Sequence, residues 1–539
     1  MATPWNLQGS PGMMPQDSFS ESGSQPSGDG SNSSQEAPPQ IETSSDASVE
    51  ETKKRVENRL SRYCLLWEAL KELPDINETN EGRYREMPED ATPPNTPTFE
   101  CEVHGTPYEL FKNFLDRLAE VCSFDRKTYM VTAILVERTD EEFVFHVTRN
   151  GLAHLSEEQT LVAFLEDLLY HIGSLQETDL HEFQRSPAFG ELLNFIVEAS
   201  VPRIKCYRSR LRNSLSECLR HESVAGMGPE LLQEVNALLA ATMVTLSDQK
   251  PGKYQTYNEA VYSFNLETQQ LRESTKTDDA INLVLAADSF VAHISHLKEV
   301  LRPWTAVNTN GTALPSRWGY VFHDVGRLRS YKKNVAVFFK ARMEFSELLK
   351  KYRVKFLRPR LAVPTPLLWD MEELRRRFKS RKYHKNLWTE EHIDKVYQKM
   401  RELSGWNFKR QVHAEVALSH WFQQRCRFPE TGSEDTSGPF FRGYRYVASS
   451  KPCCQLCKGY FDYDETAPDC RRSHANTYTR WTLPGFELCA TEKAVDAHIE
   501  TYRDIARHLK HLVKAVLSQW KPECDPTCFD SDSDISFSG

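Results

Sequence analysis

Two stretches of sequence decide the fold of the C-terminal third: WNFKRQVHAEVALSHWFQQRC at residues 406–426 and FFRGYRYVASSKPCCQLCKGYF at residues 440–461. In the first stretch, apolar residues recur at helical spacing after the triplet H-A-E at 413–415, which predicts a helix that begins there. In the second stretch, FRGYRYVAS predicts a short strand, and CCQLCKGYFDY predicts the start of another helix. The order of helix, strand and helix indicates an α/β unit with His and Cys residues at its two helix starts.

The length, charge and cysteine content of the chain limit the classes to which it can belong. Its 539 residues suggest about two to four folded units. The net charge of -9 excludes a polycation, so any contact with nucleic acid needs a local basic patch. No window approaches about 18 consecutive apolar residues, and no basic and apolar leader opens the chain, so we expect an intracellular protein, in the cytoplasm or nucleus, with no membrane partner. The 13 cysteines are odd in number and crowd toward the C-terminus, which favours reduced thiols and one metal site over a disulfide framework.

Composition and periodicity divide the chain into six predicted regions. Both ends are acidic and rich in Ser, and the first 50 residues contain no Lys or Arg, so both ends are predicted to be disordered. Amphipathic and apolar helix patterns dominate the region after the first tail. The regions are an acidic tail at 1–50, a mostly helical domain at 51–301, a basic connector at 302–402 that could include the first strands of the core, a core at 403–490, a docking helix at 491–521 and an acidic tail at 522–539.

The connector concentrates positive charge. Between Tyr320 and Arg401 there are 22 Lys or Arg and 9 Asp or Glu, and aromatic residues are interleaved with the bases. Such a segment is typical of a groove that holds phosphates and stacks bases. It is equally typical of a solvated helix face whose charges pair with the acidic tails. Both interpretations stay open at this stage.

His413, Cys454 and Cys457 are of the types that bind zinc. Two thiolates and one neutral imidazole give three protein ligands and leave the fourth tetrahedral position for water, which is the arrangement of a catalytic site. Zinc lowers the pKa of that water toward neutrality, and a carboxylate near the imidazole can shuttle protons. Glu415 suits this role, because at the first turn of a helix the side chains at i and i+2 can converge from the open end.

The motifs resemble a known signature. The text H-A-E at 413–415 followed by P-C-C-x-x-C at 452–457 resembles the H-x-E and P-C-x-x-C of the cytidine-deaminase-like superfamily of zinc-dependent deaminases. YVASSKPCCQLC and RRSHANTYTRWTLP also resemble a poorly characterised, largely fungal branch of predicted deaminases, and the match covers residues 406–485. The resemblance implies an α/β fold with a three-layer core, a mixed sheet with flanking helices, preceded here by a large mostly α-helical N-terminal domain. It also implies hydrolytic loss of ammonia from a nucleobase amine.

The spacing of the cysteines departs from this signature, because Pro452 precedes Cys453 rather than Cys454. We assign the ligands to Cys454 and Cys457, whose i, i+3 spacing suits the first turn of a helix. Cys453 is then expected to be a small buried residue or to lie just behind the ligands. The alternative pairs Cys453 with Cys457 at i, i+4 spacing.

A second zinc interpretation is a structural finger with the spacing C-x2-C-x12-C-x3-H. A finger places its second ligand pair on a helix, and the segment DETAPDCRRSH has Pro468 inside that helix, which is unfavourable. It would also leave His413 and Glu415 without a role. This interpretation belongs to the alternative function, a catalytically silent helical interaction protein with a structural zinc module. The ligands of the finger would be Cys454, Cys457, Cys470 and His474.

Three further residues are candidates for substrate binding. The family resemblance suggests that His474 and Trp481 lie on the strand after the second motif helix and shape the pocket. Alternatively, Trp481 belongs to the core and His474 to the surface. Lys451 could meet a phosphate or a base edge, or be an ordinary turn residue.

The superfamily also places a β-hairpin before its first motif helix. The runs TYMVTAILVE and EFVFHVT at residues 128–148 predict a hairpin across RTDE. The hairpin of the superfamily is instead expected nearer to the motif, around YKKNVAVFFKA at 331–341. In the helix predicted over 491–521, His498, His508 and His511 are expected on the polar side.

Together these observations predict a zinc-dependent hydrolase that acts on a C–N bond of cytosine or adenine. Zinc would be held by His413, Cys454 and Cys457, and Glu415 would move protons. The substrate would be a nucleotide or nucleic acid, and the basic connector favours a single-stranded polynucleotide. The choice of base, the protein partners of the helical domain and the roles of Cys524 and Cys528 stay open.

Overall fold

The structure is a computed structural model that describes residues 44–72, 105–124, 130–150, 155–220, 229–243, 268–294, 317–358, 368–378, 388–404, 410–427, 439–464, 467–473, 477–489 and 491–519. Over these residues the fold is mixed α/β, with 13 α-helices and a five-stranded mixed sheet. The tails predicted at 1–50 and 522–539 lie outside the described residues except for 44–50, which belong to the first helix and correct the predicted end of that tail. No helix in the described part of the chain is both long and apolar enough to cross a membrane.

The helices are numbered in chain order. They are α1 (Ser44–Glu72), α2 (Pro107–Val121), α3 (Leu155–Gly173), α4 (Leu180–Arg185), α5 (Pro187–Arg220), α6 (Pro229–Met243), α7 (Thr268–Ile294), α8 (Arg317–Glu344), α9 (Met371–Phe378), α10 (Glu390–Ser404), α11 (Ala414–Arg427), α12 (Gln455–Tyr463) and α13 (Glu492–Gln519). Short 3-10 helices occupy Ser346–Leu349, Phe441–Gly443 and Phe486–Leu488.

The main sheet takes its strands from distant parts of the chain. β1 (Thr132–Arg138) and β2 (Phe143–Arg149) form an antiparallel hairpin, which confirms the hairpin predicted across RTDE. β3 (Tyr352–Phe356) pairs parallel with β2. On the other side, β1 pairs antiparallel with β5 (Tyr446–Ser449), and β5 pairs parallel with β6 (Asp469–Cys470). The strand order β3-β2-β1-β5-β6 therefore joins the hairpin to the strand that leads into the cysteine motif.

Helices pack on both faces of this sheet. Successive side chains of a strand point to opposite faces, so Ile134 of β1 joins the core shared with α2, whereas Ala133 and Leu135 join the core shared with α11. Long helices extend the core on the α2 side, where α8 packs against α5 and α7. The helix that follows His413, α11, thus lies on one face, and the large helical layer lies on the other.

The segment YKKNVAVFFKA at 331–341 lies inside α8, so the expectation of a hairpin there is wrong. Its apolar residues Val335, Phe338 and Phe339 are buried in the core, and the helix continues beyond the segment on both sides. β-Branched and aromatic residues favour strands only weakly, and packing against α5 and α7 decides the structure here.

Charges of the basic connector pair with acidic residues of the folded part of the chain. These contacts favour the interpretation in which the basic residues lie on solvated faces of helices and strands. In these pairs the acidic partners come from neighbouring elements rather than from the tails. The pairs join Arg329 and Lys332 to Asp288, Arg353 to Glu142, Arg358 to Glu158, and Arg375 to Glu390.

Candidate metal centre

The three predicted ligands lie together at the starts of two helices. His413 immediately precedes α11, and Cys454 caps α12, where its Sγ accepts a hydrogen bond from the amide of Cys457 at 3.4 Å. His413 Nδ1 lies 3.2 Å from Cys457 Sγ and 3.7 Å from Cys454 Sγ, and the two sulfurs are 3.4 Å apart. In the described part of the chain, these residues form a group of metal-ligating side chains whose ligand atoms all lie within 4.8 Å of one another.

This donor set fits a tetrahedral zinc ion. Zinc–sulfur distances of about 2.3 Å and zinc–nitrogen distances of about 2.0 Å at tetrahedral angles imply an S–S separation of about 3.8 Å and an N–S separation of about 3.5 Å. The observed 3.4 Å between the sulfurs and 3.2 and 3.7 Å from nitrogen to sulfur are close to these values. Two thiols and one imidazole also select zinc over hard cations such as magnesium and calcium.

Glu415 lies on the first turn of α11, beside the ligands. Its Oε1 is 3.9 Å from His413 Nδ1, and its side chain is 3% exposed. Burial raises the pKa of Glu415, although the nearby His413 acts in the opposite direction. Its Oε2 is buried and has no hydrogen-bond partner among the residues that the structure describes. A buried carboxyl oxygen without a partner can take part in a hydrogen bond with a water molecule.

The ligand side chains influence one another electrostatically. Burial raises the pKa of the Cys457 thiol. Burial also acts to raise the pKa of Cys454, but hydrogen bonds with Cys457 and His413 outweigh it and hold that pKa well below its usual range. For His413, burial lowers the pKa, and the contact with Cys454 more than reverses this effect. The lowered pKa of Cys454 favours its thiolate, which is the form that binds metal.

Asn150 fixes the start of α11. It follows β2, is 2% exposed, and its Oδ1 accepts a hydrogen bond from the amide of Ala414 at 2.6 Å. The first amides of a helix have no partner within the helix, so this contact satisfies one of them. Because Ala414 lies between His413 and Glu415, Asn150 ties both residues to the hairpin. The sequence analysis missed Asn150, because nothing near it in the sequence shows that it accepts a hydrogen bond from the start of α11.

Trp481 lies behind the ligands. β4 (Gln411–Val412) and β7 (Trp481–Thr482) form a parallel pair in which Trp481 is opposite Gln411. The indole is fully buried, in the same core as Cys454 and Cys457. This position favours the alternative in which Trp481 belongs to the core.

Cys453 and Cys470 contact each other rather than the three ligands. Cys453 Sγ donates a hydrogen bond to the carbonyl of Arg471 at 3.1 Å and lies 3.9 Å from Cys470 Sγ. Cys470 is on strand β6, whereas a finger requires a helix at this point. His474 lies outside the described residues. The described geometry therefore favours the ligand set with an open position over the finger.

Tyr478 lies beside the centre, and Lys451 precedes the ligand Cys454 in the chain. Tyr478 is 49% exposed, and its ring centroid is 6.5 Å from that of His413. An exposed aromatic ring beside a metal ligand can stack on a base. Lys451 is partly buried three residues before Cys454, and burial together with Arg203 and Arg327 lowers its pKa to about 8.

Comparison with known proteins adds one finding. Residues 412–485 match the model of a family described as OTT_1508_deam-like deaminase. This segment is a deaminase domain of the cytidine-deaminase-like superfamily. No curated protein and no solved structure matches the chain. The special relationship to a largely fungal branch stays a prediction.

The matched deaminase domain contains the three ligands and Glu415, but not the whole sheet. It includes Val412 of β4 and all of α11, β5, α12, β6 and β7. The hairpin of β1 and β2 precedes the matched segment by more than 260 residues, and β1 nevertheless pairs with β5 inside it. Asn150, which caps α11, also comes from outside the match.

Proposed function

We propose that the protein is a zinc-dependent hydrolytic deaminase that removes the exocyclic amine of cytosine or adenine in a nucleotide or nucleic acid. The observation that carries this proposal is the convergence of one imidazole nitrogen and two sulfurs beside the buried carboxyl group of Glu415. The deaminase match of residues 412–485 supports the reaction type.

His413 would bind the metal through Nδ1, and Cys454 and Cys457 would bind it through Sγ. A bound zinc ion supplies a Lewis acid and lowers the pKa of a water molecule in the site. Glu415 would accept a proton from the attacking water and return protons to the ring nitrogen and the leaving amine. A C–O bond forms, the C–N bond breaks, and ammonia leaves.

The proposal includes the three-layer core implied by the resemblance. The hairpin of β1 and β2 would supply the strands that the superfamily places before its first motif helix. The pairing of β1 with β5, and the packing of α2 and α11 on opposite faces, support this assignment. On this view the helices between Asn150 and Arg410 are inserted into the core between the hairpin and α11, in addition to the helical segments that precede it.

The test compares wild type with Glu415→Gln. Zinc content is measured by elemental analysis, and ammonia release is measured with nucleosides, nucleotides and single-stranded DNA and RNA that contain cytosine or adenine. We expect the variant to keep zinc and to lose about 10²- to 10⁴-fold in rate, which is the usual contribution of a general acid–base group.

The matched control is Glu402→Gln, which removes an exposed carboxylate whose contact is a surface ion pair with Lys399. It should keep both zinc and activity. A Glu415→Gln protein that binds zinc and deaminates at the wild-type rate contradicts the proposal.

A further inference from the structure

Two cysteines outside the metal centre approach each other beside it. Cys453 Sγ lies 3.9 Å from Cys470 Sγ, and the two residues are 17 positions apart in the chain. Cys453 comes from the loop before α12, and Cys470 is in β6. Neither sulfur belongs to the group of ligand atoms formed by His413, Cys454 and Cys457. This pair of thiols therefore has no part in holding the metal.

Backbone pairing holds the two cysteines side by side. Cys470 itself is paired with Val447 of β5. Cys453 forms an isolated parallel bridge with Ser473, three residues after Cys470. Cys453 Sγ also donates a hydrogen bond to the carbonyl of Arg471 at 3.1 Å, which directs its side chain toward the segment that carries Cys470. Contacts of the main chain and of the side chain therefore keep the two sulfurs close.

A disulfide between these two residues requires a small movement. An S–S bond is about 2.05 Å long, so the gap of 3.9 Å between the sulfurs would have to close by about 1.9 Å. Rotation about the Cα–Cβ bond of a cysteine moves its sulfur without moving the backbone. The bond would replace the hydrogen bond to the carbonyl of Arg471, and it would close the segment that contains α12 into a covalent loop.

The two thiols differ in exposure. Cys470 is partly exposed, whereas Cys453 is 1% exposed and lies in the core. Susceptibility of a cysteine to oxidation rises with its exposure, and a redox-sensing cysteine is often next to a second cysteine that resolves the oxidised one. Cys470 fits the first role, and Cys453 fits the second.

We propose that Cys453 and Cys470 form a reversible disulfide when the protein meets a peroxide. The bond would tie the turn that carries the ligand Cys454 to β6, so the pair would act directly beside the metal centre. Both thiols are free in the structure, and a transient bond agrees with the cysteine content, which favours reduced thiols. The inference does not depend on the proposed deaminase reaction, and its test uses no substrate.

The oxidation has two balanced steps. Hydrogen peroxide first transfers one oxygen atom to Cys470 Sγ: an S–O bond forms, the O–O bond breaks and water leaves, which gives a sulfenic acid. Cys453 Sγ then attacks Cys470 Sγ: the S–S bond forms, the S–O bond breaks, and the hydroxyl group leaves as water with the proton of Cys453. The two thiols lose two electrons in total, and the peroxide gains them. A dithiol reductant reverses the result by thiol–disulfide exchange.

The experiment treats the zinc-loaded full chain with hydrogen peroxide, alkylates the remaining thiols and digests the protein with trypsin. Because Lys451 precedes a proline and is not cleaved, Cys453 is expected on the peptide 446–458 and Cys470 on the peptide 459–471. We expect mass spectrometry to find these two peptides linked through Cys453 and Cys470, and a dithiol reductant to separate them. Zinc content should not change, because neither sulfur is a proposed ligand.

Three variants locate the bond. Cys470→Ser and Cys453→Ser should each abolish the linked peptides. Cys206→Ser is the matched control, because Cys206 is also a partly exposed cysteine but lies on α5. The control should give the linked peptides in the wild-type yield, and unfolding midpoints of the reduced proteins should show that all three variants are folded.

Four results overturn the inference. The first is a peroxide-treated wild type in which Cys453 and Cys470 are not linked, whether Cys470 stays a thiol or becomes a sulfinic or sulfonic acid. The second is a disulfide confined to the peptide 446–458, because the oxidised pair would then be Cys454 and Cys457, whose sulfurs are 3.4 Å apart. The third is persistence of the linked peptides in Cys453→Ser. The fourth is loss of zinc in step with the link, because the two thiols would then be metal ligands.

Discussion

Replacement of Asn150 by Ala tests how the hairpin supports the metal centre. The substitution removes the 2.6 Å hydrogen bond to the amide of Ala414 and leaves that buried amide without its acceptor. An unsatisfied buried amide costs about 1–3 kcal/mol, so we expect the free energy of unfolding, measured with a chelator present, to fall by this amount. Because residues that orient metal ligands typically contribute about 10- to 100-fold to metal affinity, we also expect zinc to bind at least about tenfold more weakly. Urea unfolding and competition with a chromophoric chelator measure the two effects.

Two further variants separate positioning from general loss of stability. Asp179→Ala removes a comparable helix cap, the 2.8 Å contact to the amide of Glu182 at the start of α4, far along the chain from the metal centre. It should cost about 0.5–2 kcal/mol and leave zinc affinity unchanged. Asn150→Asp keeps an acceptor and should retain more zinc affinity than Asn150→Ala. If Asn150→Ala weakens zinc binding no more than Asp179→Ala, the argument that Asn150 positions the ligands is refuted.

Four other substitutions test individual residues of the metal centre and of the core around it. Cys454→Ser should lose bound zinc and Cys453→Ser should keep it, because Cys454 Sγ faces His413 Nδ1 whereas Cys453 Sγ faces a carbonyl; the opposite metal contents would contradict the ligand assignment. Trp481→Ala should lower the free energy of unfolding by about 3–5 kcal/mol, because the indole is fully buried, and a loss below about 1 kcal/mol in urea unfolding would be inconsistent with a core role. Burial lowers the pKa of His498 to about 4, so the native state binds fewer protons than the unfolded state, and stability should fall by up to about 3 kcal/mol as the pH drops from about 6.5 to 4. His498→Gln should reduce this acid-dependent loss of stability. If the free energy of unfolding of the variant depends on pH as it does in the wild type, the prediction is contradicted.

The parts of the site that depend on local sequence could be predicted from it. The helix after H-A-E, the strand before P-C-C and the helix after it follow from apolar spacing within about 20 residues, and all three are confirmed by α11, β5 and α12. The i, i+3 spacing of Cys454 and Cys457 at a helix start is also a local property. The convergence of these two residues with His413 could therefore be expected without knowledge of the rest of the fold.

The contacts that complete the site join residues hundreds of positions apart, and no local pattern specifies them. The hairpin at 128–148 was predicted, but its pairing with β5 was not, because backbone hydrogen bonds between strands leave no partner-specific mark in either sequence. Asn150 escaped notice for the same reason, since its acceptor role exists only where β2 ends beside α11. His498 was expected on the polar side of α13 but is 3% exposed, because its Nε2 bonds to the carbonyl of Pro484 at 2.7 Å and this contact permits burial.

The most direct test of the account is the zinc content of the purified full chain, compared with that of His413→Ala and Cys470→Ala. The geometry of the metal centre predicts about one zinc ion per chain in the wild type, loss of that ion in His413→Ala and its retention in Cys470→Ala. Retention of zinc in His413→Ala together with its loss in Cys470→Ala would contradict the account, and would identify the metal as part of a structural finger.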